Sequence, residues 1–314
     1  MTNIQASIDQ IRESARTDGP ARPAKPSWLK VRLPAHGSFF EVSSILERNH
    51  LHTICQSAKC PNIAECWTAR TATFLILGDT CTRQCAFCAV KKGAPAGQSE
   101  EEPEQVAEAV ASLGLDYAVV TSVTRDDLPD GGASAFAETI RAIKKRRPQA
   151  NVEVLVPDFQ GSEEAMAAVI SSGPDVLNHN LETTEPGYPR IGRPRQNYRR
   201  SLGVLEAAKK LGALTKSGLM VGLGETGPEI EQTLSDLRGV GCDLLTIGQY
   251  LQPGRQNPPV SRYYTPEEFV GMQARALALG FKDVAAGPLV RSSYRAHKLF
   301  QSSAPGGAQN PCAT

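Results

Sequence analysis

From residue 71 onward, short apolar runs alternate with amphipathic stretches along the chain. The runs are TATFLILG (71–78), YAVVTSV (117–123), NVEVLVP (151–157), VLNHNLE (176–182), LTKSGLMVGL (214–223) and LLTIGQYLQP (244–253). Short length, β-branched content and flanking Gly, Pro or Asp mark them as strands. Residues 103–113, 134–147, 162–171, 197–212, 226–239 and 265–279 read as helices. Caps or first-turn prolines open several of these, as in Glu102-Pro103 and Thr265-Pro266-Glu267-Glu268. Strand–helix units in tandem predict a parallel sheet. Six units fall two short of a closed (β/α)8 barrel. The expected fold is therefore α/β: a partial (βα)6 TIM-type barrel over 71–286, with a doubly wound open sheet as the alternative.

The flanking segments lack this rhythm. Residues 1–34, interrupted by Pro20, Pro23 and Pro26, read as a flexible leader. Residues 35–70 show little apolar periodicity and read as an extension that metal ligation could organise in place of a core. Residues 287–314 form a C-terminal tail, rich in Ser, Gly and Ala beyond Phe300. In parallel-sheet folds the loops after the strands carry the site. Polar residues gather there, in TRDDLPDGG (124–132), at Asn178, His179, Asn180 and Glu182, in GLGET (222–226) and in GQYLQPGRQNPP (248–259).

Composition narrows the class. With 40% hydrophobic and 21% charged residues, the chain matches an ordinary globular protein. A formal charge of +1 gives no reason to expect a nucleic-acid or membrane-surface partner. The N-terminal stretch MTNIQASIDQIRESARTDG has no apolar core of a secretory signal. The expectation is a cytoplasmic protein whose thiols stay reduced, so clustered cysteines read as metal sites before disulfides.

Six of the eight cysteines lie between positions 55 and 88, in two triplets. Cys55, Cys60 and Cys66 are spaced C-x4-C-x5-C; Cys81, Cys85 and Cys88 are spaced C-x3-C-x2-C. Closed zinc sites and ordinary cubane iron–sulfur clusters both take four ligands. A thiolate triplet leaves one metal position open, and that position is where chemistry is expected.

The C-x3-C-x2-C loop leaving a first strand, with Phe87 between its last two cysteines, resembles the radical S-adenosylmethionine (SAM) superfamily. The first triplet in CQSAKCPNIAECW (55–67) and the motif Arg291-Ser292-Ser293-Tyr294 resemble the lipoyl synthase family within it. The resemblance runs from about Phe40 to Ala296 and includes VVTSVTRDDLPDGGA (119–133), NHNLET (178–183), TKSGLMVGLGET (215–226) and IGQYLQP (247–253). It departs after Tyr294, where Arg295-Ala296-His297 replaces the family's usual His-Ala-Asp.

The resemblance implies two [4Fe–4S] clusters and SAM. Cys81, Cys85 and Cys88 would hold the cluster whose open iron binds SAM, and Cys55, Cys60, Cys66 and Ser292 the auxiliary cluster that is the sulfur source; Ser293 is the rival ligand. No catalytic residue beyond these ligands is implied. An alkoxide is a harder, weaker partner for cluster iron than a thiolate, which suits a cluster that gives up sulfide. The reaction implied is sulfur insertion at C6 and C8 of an octanoyl group on a lipoyl carrier domain or glycine-cleavage H protein. The electron donor would be a flavodoxin or ferredoxin. A biotin-synthase-like enzyme and a non-catalytic cluster carrier are the alternatives. The resemblance suggests that Thr124, Arg125 and Asp126 approach SAM or the substrate; their place at the end of the fourth strand makes Asn180 and Glu182 candidates for SAM, and a charge-assisted fork to its carboxylate makes Arg193 and Arg195 candidates. Asp126 also fits a plain turn, and the basic loop 190–200 also fits a docking surface for an acidic carrier. His179 and Cys242 read as structural.

Overall fold

A computed structural model describes residues 24–31 and 37–303. Most of the leader, the end of the tail and Cys312 lie outside the described residues. The main sheet has eight strands: β1 (His52–Thr53), β2 (Thr73–Ile76), β5 (Tyr117–Ser122), β6 (Asn151–Leu155), β7 (Val176–Asn178), β8 (Thr215–Val221), β9 (Leu244–Gln249) and β10 (Asp283–Gly287). A separate pair, β3 (Thr80–Cys81) and β4 (Lys91–Lys92), follows β2.

Neighbours in the sheet follow the chain order, and every pairing in it is parallel except that of β1 with β2. A doubly wound sheet reverses order at a switch point. The uninterrupted order excludes that alternative and gives a partial barrel. The six expected strands are present, and β10 adds a seventh parallel one. Its sequence, Asp-Val-Ala-Ala-Gly, has too few large apolar side chains to stand out as a strand.

Helices cover the outer face because each offers one apolar stripe. Phe136, Ile140 and Ile143 of Ala133–Arg146 are fully buried, as are Leu234 and Leu237 of Gly227–Gly239. Capping boxes start two helices, Thr226 with Glu229 and Thr265 with Glu268, the second where the sequence predicts a cap.

The extension 35–70 corrects an expectation. It forms α1 (Gly37–Arg48), α2 (Ile54–Ser57) and α3 (Ile63–Thr68), and buries Val42, Ile45, Leu46 and Trp67 in the main core. Trp67 is 1% exposed and packs its ring 5.1 Å from that of Phe39. Apolar contacts, not ligation alone, hold this segment in place.

The inner face of the sheet is polar. Lys216 on β8 reaches both carboxylate oxygens of Glu153 on β6, at 2.8 and 3.0 Å, with each side chain 1% exposed. Tyr117 and Asn178 donate to the same carboxylate, so the pair is fully satisfied. The chain after β10 then turns back over this face. A Cβ on Gly248 would strike the carbonyl of Val290, so only glycine lets the returning segment lie that close. No helix among the described residues is long and apolar enough to cross a membrane.

Candidate active site

The second triplet sits on the loop leaving β2, the first strand of the barrel. Backbone N–H groups of Arg83 and Thr124 donate to the sulfur of Cys81, at 3.4 and 3.3 Å. Arg193 donates through Nε to the sulfur of Cys85 at 3.3 Å and lies 5.7 Å from the Phe87 ring centroid. Asn257 donates to the carbonyls of Ala86 and Cys88, and the N–H of Ala86 bonds Ile191. The loop is thus gripped from the segments after β5, β7 and β9. Donors aimed at sulfur suit thiolates bound to a cluster.

Beside this loop lies a cavity of about 130 Å³. Thr124, Asn180, Glu182 and Arg193 line it, as do Arg83, Asp158 and His179, which the sequence reading left unassigned to SAM. Arg125 and Asp126 are not among its lining residues. Arg125 is 3% exposed, pairs with Asp127 at 2.8 Å and reaches the carbonyl of Leu77, which braces the loop from behind. Asp126 accepts from Arg83 at 2.7 and 2.8 Å. Arg83 stands inside the cysteine motif, where a lone arginine carries no periodic signal. Asp158 follows the third strand, where the strand-end rule points.

Electrostatics set the polarity of this cavity. Burial pushes the Glu182 carboxyl up, while Arg193 and a hydrogen bond from Asn180 oppose that shift. Burial pushes His179 down to about 4, so its ring is neutral. Its Nδ1 lies 2.9 Å from the carbonyl of Val156, which can only accept. Nδ1 therefore carries the proton and Nε2 is left as an acceptor. That Nε2 has no partner among the described residues, which leaves an acceptor for a ligand O–H or N–H.

The first triplet borders a second cavity, of about 420 Å³, within the size range of small-molecule sites. Cys55 lies on α2, Cys66 on α3 and Cys60 between them. Burial pushes Cys55 and Cys60 up and Cys66 to about 12, so bound metal would have to displace protons. Among the described residues no three His, Cys, Asp or Glu side chains converge on a single-ion site. A cubane is held at separate irons around a cage, which fits two triplets of this kind.

The C-terminal turn closes this cavity. Arg291, Ser293, Tyr294, Arg295 and His297 line it. Glu65, next to Cys66, accepts from Tyr294 and from Arg295, each at 2.8 Å, and Asn62 donates to the carbonyl of Leu289. The departure at Arg295 thus supplies one of the contacts that hold the tail. Ser292 does not line the cysteine cavity; its hydroxyl donates to Asn180 Oδ1 at 2.9 Å. The turn stands between the cavities, with Ser293 on the cysteine side and Ser292 on the Asn180 side. Val119 and Thr121 of β5, one in each lining, are about 6.6 Å apart along the strand.

The glycine loop 222–226 lies outside both linings. Glu225 closes it by accepting from the N–H groups of Gly222 and Leu223 and from the hydroxyl of Tyr264. Cys242 is fully buried, as the sequence implies. Arg195 and Arg199 both reach Glu185, and Arg200 reaches Asp158.

Residues 75–237 match the model of the radical SAM superfamily. The chain is 53% identical over 284 residues to a lipoyl synthase of Rubrobacter xylanophilus, covering 90% of this chain and 88% of that protein. It is 54% identical over 276 residues to one of Caldicellulosiruptor saccharolyticus, covering 87% and 96%. The chain belongs to the lipoyl synthase family. Cofactors of a lipoyl synthase are SAM and [4Fe–4S] clusters, which matches a chain with two separate cysteine triplets.

Solved structures show the shared fold alone. Methylornithine synthase (PylB) superposes with a TM-score of 0.51 at 14% identity, covering 83% of this chain and 86% of that one. Streptococcus suis SuiB bound to precursor peptide SuiA gives 0.53 at 7% identity, covering 90% and 60%.

Proposed function

We propose that this lipoyl synthase inserts sulfur at C6 and C8 of an octanoyl group carried by a lipoyl domain or glycine-cleavage H protein. The observation that carries the reading is a pair of cavities along β5, one bordered by Cys55, Cys60 and Cys66 and the other lined by Thr124 and Arg193, which donate to the sulfurs of Cys81 and Cys85. When bound, one cluster with SAM would supply the radical chemistry and the other the sulfur.

Cys81, Cys85 and Cys88 would hold the SAM-binding cluster, and Cys55, Cys60 and Cys66 the auxiliary one, with Ser292 as fourth ligand once its hydroxyl turns from Asn180 and Ser293, which lines the cysteine cavity, as its rival. Glu182, Asn180 and Thr124 offer polar contacts to SAM, and Arg193 offers a charge-assisted donor. His179 Nε2 accepts from a hydroxyl or amine of the same ligand. The larger cavity, walled by Ala72, Val119 and Ala296 beside the cysteines, suits an apolar chain. A cytoplasmic setting and a flavodoxin or ferredoxin donor accompany this reading, because such clusters need reduced thiols and single electrons.

Iron and sulfide analysis after anaerobic reconstitution tests the assignment. Two clusters correspond to about eight irons per chain, and replacing either cysteine triplet by alanine should leave about four. Single turnover with an octanoyl-carrier peptide, SAM and reductant should then give the dithiolane only in the parent. A triple variant that keeps the parent's iron, or a parent that leaves octanoyl unchanged, rejects the proposal.

A further inference from the structure

The two residues after the first cysteine of the C-x3-C-x2-C loop tie that loop to the sheet. Thr82 donates through its backbone N–H and its hydroxyl to the carbonyl of Thr124, at 3.1 and 3.0 Å. The N–H of Asp126 donates back to the Thr82 hydroxyl oxygen at 3.2 Å. Arg83 reaches further. Its Nε and Nη2 grip both carboxylate oxygens of Asp126, and Nη2 also donates to Asp158 at 2.5 Å. Asp126 follows β5 and Asp158 follows β6, so one guanidinium joins the cysteine loop to the ends of two neighbouring strands.

The sheet side of this clamp is rigid. Asp158 is 3% exposed and accepts from the N–H of Gln160 within a tight turn, Phe159–Gly161. Phe159, the next residue, is buried with its ring edge-on to that of Phe136. Core packing therefore fixes the Asp158 carboxylate independently of Arg83. A second cation, Arg200 on the helix Gln196–Lys210, lies 3.6 Å from its other oxygen. The loop side has no such support. Residues 82–90 form neither helix nor strand, and ordering an irregular segment costs conformational entropy at every residue.

We propose that Arg83 is a positioning residue that orders the Cys81–Cys88 loop on the sheet before metal is bound, acting through Asp126 and Asp158. Cluster loading then does not have to order the loop, and the binding free energy goes to retention of the metal. The two-pronged grip on Asp126 needs the planar fork of an arginine. This inference rests on the reading of Cys81, Cys85 and Cys88 as ligands of the SAM-binding cluster, and adds what brings their loop into place.

Hydrogen exchange of the full-length, cluster-free protein tests the ordering without any metal. The amides of Thr82, Ala86 and Cys88 are hydrogen-bonded in the structure. In Arg83→Gln they should exchange about tenfold faster or more, the equivalent of one charge-assisted hydrogen bond, while β9 exchanges as in the parent. Arg83→Lys should fall between the two. Asp158→Asn should act in the same direction, and added to Arg83→Gln should bring little further change, because both remove one interaction. A second measurement reads the metal. With Cys55, Cys60 and Cys66 changed to alanine, the chelator concentration that strips half of the remaining iron should drop about tenfold in Arg83→Gln.

Parent-like exchange of the loop amides in Arg83→Gln overturns the inference. So does equal acceleration in β9, which would mark a general loss of stability, and so does a fully additive effect in the double variant. If the loop amides respond as expected but the Cys55, Cys60 and Cys66 variant holds no iron while still folded, the ordering by Arg83 stands and the ligand reading falls instead.

Discussion

Replacing Arg193 by glutamine separates the two roles this side chain combines. The guanidinium donates to the Cys85 sulfur at 3.3 Å, stacks 5.7 Å from the Phe87 ring centroid and faces the buried Glu182 carboxyl. A hydrogen bond to a charged group contributes about 1.5–3 kcal/mol. The cation–π contact adds about 0.5–1 kcal/mol at a partly exposed site. Together these give roughly 2–4 kcal/mol, or about thirty- to a thousandfold at 1.4 kcal/mol per tenfold. The loss should divide between retention of the SAM cluster and affinity for SAM. Glu182 loses its cation as well, and burial then pushes its carboxyl further up. Anaerobic equilibrium dialysis of SAM against reconstituted protein, with iron counted per chain, measures both parts. Arg193→Lys keeps the charge but neither the planar stack nor the fixed donor geometry, so it should fall between parent and Arg193→Gln. Parent-like SAM affinity and iron content in Arg193→Gln would refute the reasoning, because each contact named would then contribute nothing.

Two other perturbations follow from the placement of charges. Lys216→Met strands the Glu153 carboxylate, 1% exposed, and should destabilise the protein by about 3–5 kcal/mol in urea unfolding. Adding Glu153→Gln should recover most of that loss, and an equally unstable double variant would show that the ion pair is not the cause. Arg195→Ala with Arg199→Ala removes exposed cations that reach only Glu185 among the ion pairs described. Carrier affinity should fall roughly two- to tenfold at low salt and converge with the parent's at high salt. Identical affinities at low salt would exclude this surface from docking. Arg193 and Arg200 are left out of that test because they face Cys85 and Asp158.

Much of the barrel was legible because periodicity survives in a single chain. Runs such as Thr73–Ile76 and Leu244–Gln249 are buried at every position, which keeps charged residues out of them and leaves short, mostly apolar stretches that stand out. β10 was not legible, since Ala285, Ala286 and Gly287 owe their place to pairing with β9 and not to their own side chains. The core of the extension was hidden for a related reason: Val42, Ile45, Leu46 and Trp67 are spread over two helices that share burial only after folding. Among the candidate SAM residues, position after a strand brought out Thr124, Asn180 and Glu182. It could not separate them from Arg125 and Asp126, whose side chains turn to Asp127 and Arg83.

The sequence by itself determined the two triplets and the places of six strands along the chain, because cysteine spacing within a loop and apolar content within a strand are local properties; their order in the sheet came from the fold. Only the tertiary structure decided which serine of the Arg291–Tyr294 turn faces the cysteines and which faces Asn180. It also decided that Arg193 would reach Cys85 across 108 residues. Such meetings depend on which side chains share the inner face of the sheet and on the room left at Gly218 and Gly248. That information exists only when the strands lie side by side.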